Sequence, residues 1–276
     1  GLYWKAPSAG SQNVLARFGD AGKVAAECDV TVAVLGINKS IEREGQDRFS
    51  LELPVDQQEF IKELYKVNPN TVVVLVAGSS MAVNWMDENV PAILNAWYPG
   101  EQGGNAVAEV LFGDYNPGGR LPLTYYNSLD EIPAFDNYFV KGRTYQYFEG
   151  QPLYEFGYGL SYTKFRYKSK GVNVEQDTVK VSFEVSNTGK YDGDEVTQVY
   201  VKYPETGTYM PLKQLHGFKR VHIKKGKTSK VTIGVPKKDL RYWDEQERKF
   251  VTPKGEYTFM VGASSDDIKF RETVGL

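Results

Sequence analysis

Residues 30–48 have the sequence VTVAVLGINKSIEREGQDR, which joins an apolar run to a charged loop. The run 30–36 has the almost continuous apolar character of a buried strand in a parallel sheet. The loop after it carries three carboxylates and two guanidinium groups around a glycine. Because ligands of α/β proteins bind outside the carboxyl ends of parallel strands, this loop is the first candidate for a functional site.

The pattern around this loop predicts an α/β domain over residues 21–124, preceded by a leading loop at 1–20. Strands are predicted at 30–35, 71–76 and 91–97, and helices at 21–29, 56–65 and 105–112. Strands that alternate with helices are typical of a parallel sheet with right-handed crossovers. The sequence therefore predicts an α/β sandwich with a mostly parallel sheet.

The character of the chain changes after Gly113. Residues 125–166 are rich in Tyr and Phe without a regular period, and they are predicted to form an irregular linker. From residue 167 to 276, short runs alternate apolar and polar residues between turn signals, as at 179–185. This pattern is typical of an immunoglobulin-like or fibronectin type III-like β-sandwich. The predicted fold class is thus α/β followed by all-β.

Composition excludes several classes of function. A net charge of -2 over 276 residues, with no basic block, disfavours a nucleic-acid partner. No apolar run approaches the ~20 residues that span a bilayer, so no membrane partner is predicted. The single cysteine, Cys28, excludes an intrachain disulfide and a cysteine-rich metal site, and we expect it to be a small buried residue.

The two histidines, His216 and His222, both fall in the predicted sandwich. They leave no credible zinc site and no Ser-His-Asp triad in the first domain. The glycine-rich segment 100–104 does not have the spacing of a phosphate loop or a dinucleotide fingerprint. We therefore predict no metal and no cofactor.

Four segments together resemble glycoside hydrolase family 3. Residues 36–54 resemble the carboxylate loop of that family. The other matching segments, in the family's order, are 78–79, then 97–104 with 113–122, then 152–163. The sandwich is similar to the fibronectin type III-like domain that follows in many members. Within the family, residues 41–48 and 141–148 are more similar to β-xylosidases than to general β-glucosidases.

The resemblance implies a retaining mechanism, which uses two carboxyl groups about 5–5.5 Å apart. It assigns the acid/base role to Glu44. The nucleophilic aspartate of the family belongs to a (β/α)8-type barrel, which this sequence does not contain. The implied partners are therefore an oligosaccharide substrate and a barrel domain or chain that carries the nucleophile.

The residues around Glu44 are predicted to support it or to bind substrate. We expect Asp47 and Arg48 to pair with each other and hold the loop. Gly45 gives the backbone freedom at the bend, and Glu42 supplies negative charge that raises the pKa of Glu44. The competing interpretation is a solvated charged loop, which is what most such clusters are.

The expected function is the C-terminal portion of an exo-β-glycosidase that removes terminal β-linked xylose and is inactive without its barrel. The alternatives are a β-glucosidase of the same family, a non-catalytic carbohydrate-binding or structural fragment, and a cell-surface adhesion module. The chain starts at Gly1, which predicts a mature product or a piece of a longer protein. The family's polysaccharide-related substrates favour an extracytoplasmic location.

Overall fold

The computed structural model describes residues 19–276, so the predicted loop at 1–20 lies almost entirely outside the described residues. The chain divides into two compact units. The first contains the chain up to Ala108 together with Tyr126–Glu131, and the second contains Glu109–Tyr125 and Ile132–Leu276. Residues 109–124, which were predicted to belong to the α/β domain, thus group with the second unit.

The described residues of the first unit form a parallel sheet with the strand order β1-β2-β3. Its elements, in chain order, are α1 (Ala21–Glu27), β1 (Thr31–Gly36), α2 (Val55–Val67), β2 (Thr71–Val76), α3 (Asn84–Asn89) and β3 (Ile93–Asn95). Helix α4 (Gly103–Phe112) begins in this unit and ends in the second. The predicted α/β architecture with parallel strands is confirmed.

Helix α2 fixes the end of β1. It buries Ile61 and Leu64 against the sheet, whose central strand β2 is almost fully buried. The Gln57 side chain of α2 accepts a hydrogen bond from the backbone N–H of Gly36 at 2.8 Å and donates one to its carbonyl, also at 2.8 Å. The N–H and carbonyl of Gly36 are the last backbone groups of β1. Their hydrogen bonds to Gln57 therefore fix the point at which the charged loop begins.

Strand β1 is less buried than the sequence predicted. Ala33 and Leu35 are buried, but Val32 is 46% exposed and Val34 is 65% exposed. In the described structure β1 pairs with β2 alone and lies at an edge of the sheet. A continuous apolar run cannot distinguish an edge strand with one covered face from a central strand, which explains the error.

Other local predictions need correction. Cys28 is exposed rather than buried, because it follows α1 in the turn before β1. The third strand is shorter than predicted and spans Ile93–Asn95. The helix Asn84–Asn89 was not predicted, since six residues are too few for a clear helical period.

The second unit is an antiparallel β-sandwich, which confirms the predicted all-β fold. Its sheets have the orders β12-β11-β6-β7 and β4-β5-β8, and β9 pairs with β10 in a separate hairpin. The strands are β4 (Phe165–Val174), β5 (Thr178–Asn187), β6 (Gly193–Lys202), β7 (Gln214–Ile223), β8 (Thr228–Pro236), β9 (Tyr242–Asp244), β10 (Lys249–Val251), β11 (Glu256–Gly262) and β12 (Ile268–Gly275). Apolar residues on the inner faces, such as Phe183 and Phe259, form one core.

Two irregular segments pack on this sandwich within the second unit. Arg120 forms a buried ion pair with Glu195 of β6, with 2.8 Å between Nη2 and Oε2. The Tyr167 hydroxyl donates to the same carboxylate at 2.6 Å, and burial raises the pKa of Tyr167 far above its usual value. Tyr145 meets the edge of the Tyr200 ring of β6, with ring centroids 5.7 Å apart. Part of the aromatic segment therefore packs against the sandwich, whereas Phe135, Tyr138 and Phe139 are exposed.

Candidate active site

The charged loop lies at the carboxyl edge of the parallel sheet. Strands β1 and β2 pair in register from Thr31–Thr71 to Gly36–Val76, so residues 37–54 and the turn after β2 leave the sheet side by side. The turn and the loop join again where the Ala82 N–H donates to the Leu51 carbonyl at 2.8 Å. This is the edge where α/β proteins place their binding groups.

Glu42, Arg48 and Ser79 form one hydrogen-bonded network at this edge. Arg48 Nε lies 2.5 Å from Glu42 Oε2. The Ser79 hydroxyl accepts from Arg48 Nη2 at 2.9 Å and approaches both carboxylate oxygens of Glu42 at 2.8–2.9 Å. The serine therefore links the cation to the anion, and the network joins the loop after β1 to the turn after β2.

Arg48 is the structural centre of the loop. Its side chain is only 9% exposed, and its Nη2 also donates to the Ser80 carbonyl at 2.8 Å. The predicted pair between Asp47 and Arg48 is wrong: Arg48 pairs with Glu42, and Asp47 is exposed. Neighbouring residues in an extended loop point in different directions, so adjacency in sequence was a poor guide to pairing.

Glu44 lies at the tip of a tight turn. The Arg43 N–H donates to the Gln46 carbonyl at 3.0 Å, and the Gln46 N–H donates back to Arg43 at 2.9 Å. Gly45 has a φ of 72°, which confirms the backbone freedom predicted at this position. The turn presents Glu44 as an exposed carboxylate on a base that Glu42 and Arg48 hold in place.

This geometry argues against the predicted electrostatic effect of Glu42 on Glu44. The Glu42 carboxylate faces a guanidinium and a hydroxyl donor, so its charge is largely compensated. A compensated carboxylate exerts little field on a neighbour. In the described residues Glu42 acts as a support of the loop, through Arg48, rather than as a source of negative potential.

Ser79 belongs to the segment 78–79 that resembles the family, but no role at the site was predicted for it. The signal was its position directly after a parallel strand next to β1, because such residues meet at the same sheet edge. Tyr98, which follows β3, was likewise missed; its hydroxyl donates to the Ile37 carbonyl at 3.4 Å. Gly78 makes room for that ring, since a Cβ there would lie 2.4 Å from Tyr98 Cε2.

Residues 19–276 contain no group of three or more His, Cys, Asp or Glu side chains arranged to hold a metal ion. Within the same residues, no helix is long and apolar enough to cross a membrane.

Two protein-family models match the chain. The model described as "Glycosyl hydrolase family 3 C-terminal domain" matches residues 4–162, and the model described as "Fibronectin type III-like domain" matches residues 195–265. The chain belongs to glycosyl hydrolase family 3. The first match contains the charged loop, the turn after β2 and helix α4, and the second falls within the sandwich. The family membership that the sequence motifs predicted is therefore confirmed.

The chain is similar to family 3 enzymes with two different names. It is 42% identical over 225 residues to a xylan 1,4-beta-xylosidase of Xylanibacter ruminicola, which covers 81% of this chain and 26% of that protein. It is 38% identical over 264 residues to a beta-glucosidase of Kluyveromyces marxianus, and that match covers 90% of this chain and 31% of the relative. A periplasmic beta-glucosidase of Salmonella typhimurium is 34% identical over 284 residues, and the match covers 97% of this chain and 37% of that protein.

The fold also agrees with solved structures. The crystal structure of the Kluyveromyces marxianus beta-glucosidase superposes with a TM-score of 0.89 at 35% identity, over 97% of this chain and 35% of that one. The chain thus spans 26–37% of the length of these three curated relatives.

Proposed function

We propose that this family 3 chain supplies the acid/base glutamate, Glu44, of a retaining exo-β-glycosidase that releases terminal β-linked xylose. The observation that carries the proposal is the turn at residues 43–46. It holds one carboxylate exposed at the carboxyl edge of a parallel sheet, while a second carboxylate, Glu42, is used to anchor the loop through Arg48.

The proposed chemistry needs one carboxyl group that holds a proton and later accepts one. Glu44 protonates the leaving glycosidic oxygen and then deprotonates the water that releases the sugar. The nucleophile, by the resemblance of the motifs, is an aspartate on a barrel, about 5–5.5 Å from Glu44 in the assembled site. This partner and the oligosaccharide substrate are parts of the proposal.

A working acid must have its pKa raised towards the operating pH. Glu44 is exposed in the described structure, and Glu42 is compensated by Arg48. The proposal therefore requires that the docked barrel bury Glu44 and bring the negative nucleophile near it. Full acid/base function is thus a property of the assembled protein.

Xylose is proposed from two observations. Residues 41–48 and 141–148 are more similar to β-xylosidases, and the xylan 1,4-beta-xylosidase is 42% identical against 38% for the yeast beta-glucosidase. A β-glucosidase is the second candidate, since several relatives and the superposed structure carry that name. The periplasmic name of one relative supports an extracytoplasmic location for this chain.

The test uses the polypeptide that joins this chain to its barrel, with the variant Glu44→Gln. With an unactivated xylo-oligosaccharide, kcat/KM is expected to fall about 10²–10⁴-fold, because general acid catalysis is lost. An aryl xyloside with a good leaving group needs no protonation, so its glycosylation step is expected to be much less affected. Added azide should then accelerate turnover, since it attacks the glycosyl intermediate without a general base.

The matched control is Glu52→Gln, an exposed carboxylate in the same loop. It is expected to leave both substrates unaffected. Equal losses on both substrates in Glu44→Gln, or no loss on the oligosaccharide, would contradict the acid/base role. The ratio of kcat/KM values for a terminal xyloside and a terminal glucoside decides between the two sugars. An assembled protein with no hydrolysis of either would favour the non-catalytic alternative.

A further inference from the structure

The second unit carries a pocket of about 220 Å³ beside the β9–β10 hairpin. Aromatic side chains and uncharged polar side chains make up most of its wall. Its lining residues are Gln146, Tyr147, Tyr203, Thr208, Tyr209, Met210, Pro211, Gln214, Arg241, Tyr242 and Trp243. All of them belong to the second unit, whereas Glu44 belongs to the first.

Two aromatic rings at this pocket are open to solvent. Tyr209 is 51% exposed and Trp243 is 49% exposed. Both are held by neighbours: Tyr209 stacks on Tyr147 with centroids 5.3 Å apart, and Trp243 meets the edge of Phe250, also at 5.3 Å. Large aromatic faces that are fixed and yet exposed lose little conformational entropy when a ligand covers them.

The polar groups of the wall are oriented by hydrogen bonds. The Tyr203 hydroxyl donates to Gln214 Oε1 at 3.0 Å and lies 2.8 Å from His216 Nε2. Because Gln214 accepts through its oxygen, its amide N–H₂ is left as the donor for a ligand. Burial lowers the pKa of His216, so the imidazole behind Tyr203 is neutral near pH 7.

This combination fits a neutral sugar ring better than an anion or an apolar chain. A β-linked xylose unit has faces of C–H groups that stack on aromatic rings, and equatorial hydroxyls at its edge that need donors and acceptors. The wall offers both, through the ring of Trp243 for a face and through the amide of Gln214 for the edge. An apolar occupant would cover the Gln214 N–H₂ group without pairing it, which is costly.

We propose that this pocket binds one sugar unit of a β-linked xylan chain. The volume lies below the ~300 Å³ at which pockets for drug-sized ligands begin, so a single ring enters at a time. The choice of xylan rests on the proposed function, whereas the choice of a neutral saccharide rests on the wall itself. The pocket would hold the polymer on which the enzyme acts.

The experiment is affinity electrophoresis of the 276-residue chain in gels that contain soluble arabinoxylan, barley β-glucan or no polysaccharide. Wild type is expected to be retarded by arabinoxylan. The variant Trp243→Ala is expected to bind at least about tenfold more weakly, because it removes the exposed stacking face. Trp243→Phe keeps an aromatic ring and is expected to bind more tightly than Trp243→Ala.

The matched control is Tyr191→Ala, which removes an equally exposed tyrosine of the second unit that does not line the pocket. Far-ultraviolet circular dichroism checks that each variant is folded. Wild type that is not retarded by arabinoxylan overturns the proposal, and so does full retardation of folded Trp243→Ala. Retardation by β-glucan alone overturns the assignment to xylan.

The two proposals can fail separately. Trp243→Ala in the polypeptide joined to its barrel is expected to hydrolyse a small aryl xyloside as wild type does, while Glu44→Gln binds arabinoxylan as wild type does. A loss of small-substrate hydrolysis in folded Trp243→Ala would contradict a role in polymer binding alone.

Discussion

At the residue scale, the site depends on one arginine. Arg48 reaches the Glu42 carboxylate, the Ser79 hydroxyl and the Ser80 carbonyl from a single planar group. A lysine has one point of charge and cannot make the same fork, so the two cations are not interchangeable here. The sequence predicted that Arg48 holds the loop, and the structure identifies its partners as Glu42, Ser79 and Ser80.

The variant Arg48→Met is therefore expected to loosen the loop before it changes anything else. It leaves the Ser80 carbonyl without its donor and the Glu42 carboxylate with the Ser79 hydroxyl but no cation, at a cost of about 1–3 kcal/mol for the first unit. Urea unfolding measures the stability, and hydrogen exchange of peptides that cover residues 37–54 measures the local effect. Exchange there is expected to be faster than in wild type.

The control for Arg48→Met is Arg43→Met in the same loop. Arg43 is exposed, and its guanidinium makes one long hydrogen bond, 3.3 Å to the Lys39 carbonyl. Its removal is expected to change stability by less than about 0.5 kcal/mol. Equal effects of the two variants would show that the loop is held by its backbone turns rather than by the network.

At the scale of elements, the sequence predicted the positions of the strands better than it predicted their burial and the contacts of the loops that follow them. The run 71–76 was predicted with its observed limits, because Thr71 and five apolar residues between turn signals leave little choice. The exposure of β1 could not be predicted, since it depends on which strands flank it in space. The contact between Arg48 and Ser79 could not be predicted for the same reason, because Ser79 comes from the turn after the neighbouring strand β2.

The sandwich contains a cross-strand pair whose strength depends on pH. Asp194 of β6 lies opposite His222 of β7, with 2.7 Å between Oδ1 and Nδ1, and Arg220 Nε donates to Oδ2 at 2.7 Å. Burial alone would raise the pKa of Asp194, but the hydrogen bonds from His222 and Arg220 outweigh it and lower that pKa. The carboxylate is thus favoured in the folded state.

A carboxyl group with a lowered folded pKa stabilises the fold above its unfolded pKa, and the contribution is lost as pH falls through the folded value. The variant Asp194→Asn is therefore expected to lower the Tm of the second unit at pH 7. The difference from wild type should shrink steadily below about pH 4, where the unfolded carboxyl begins to bind protons. Calorimetric scans at several pH values measure this.

The control for the pH effect is Asp177→Asn, an exposed carboxylate in the turn before β5. Its Tm is expected to track that of wild type at every pH. A difference between Asp194→Asn and wild type that stays constant down to pH 2.5 or so would mean that the cross-strand pair does not carry the acid dependence.

At the scale of the whole molecule, the proposed mechanism divides the two carboxyl groups between this chain and a barrel. The described residues form a parallel sheet in one unit and a β-sandwich in the other, and the resemblance of the motifs assigns the nucleophilic aspartate to a barrel. Retaining hydrolysis divides the reaction between two carboxyl groups, and neither replaces the other. On the proposed mechanism, activity should therefore appear only when the barrel is present.

The 276-residue chain alone is expected to show no hydrolysis of an aryl xyloside above the buffer blank. Addition or fusion of the barrel is expected to bring turnover. The Glu44→Gln variant of the fused protein is expected to lose most of its turnover of unactivated xylo-oligosaccharides, because general acid catalysis is removed. Turnover by the chain alone, abolished by Glu44→Gln, would mean that a second carboxyl group of this chain serves as nucleophile.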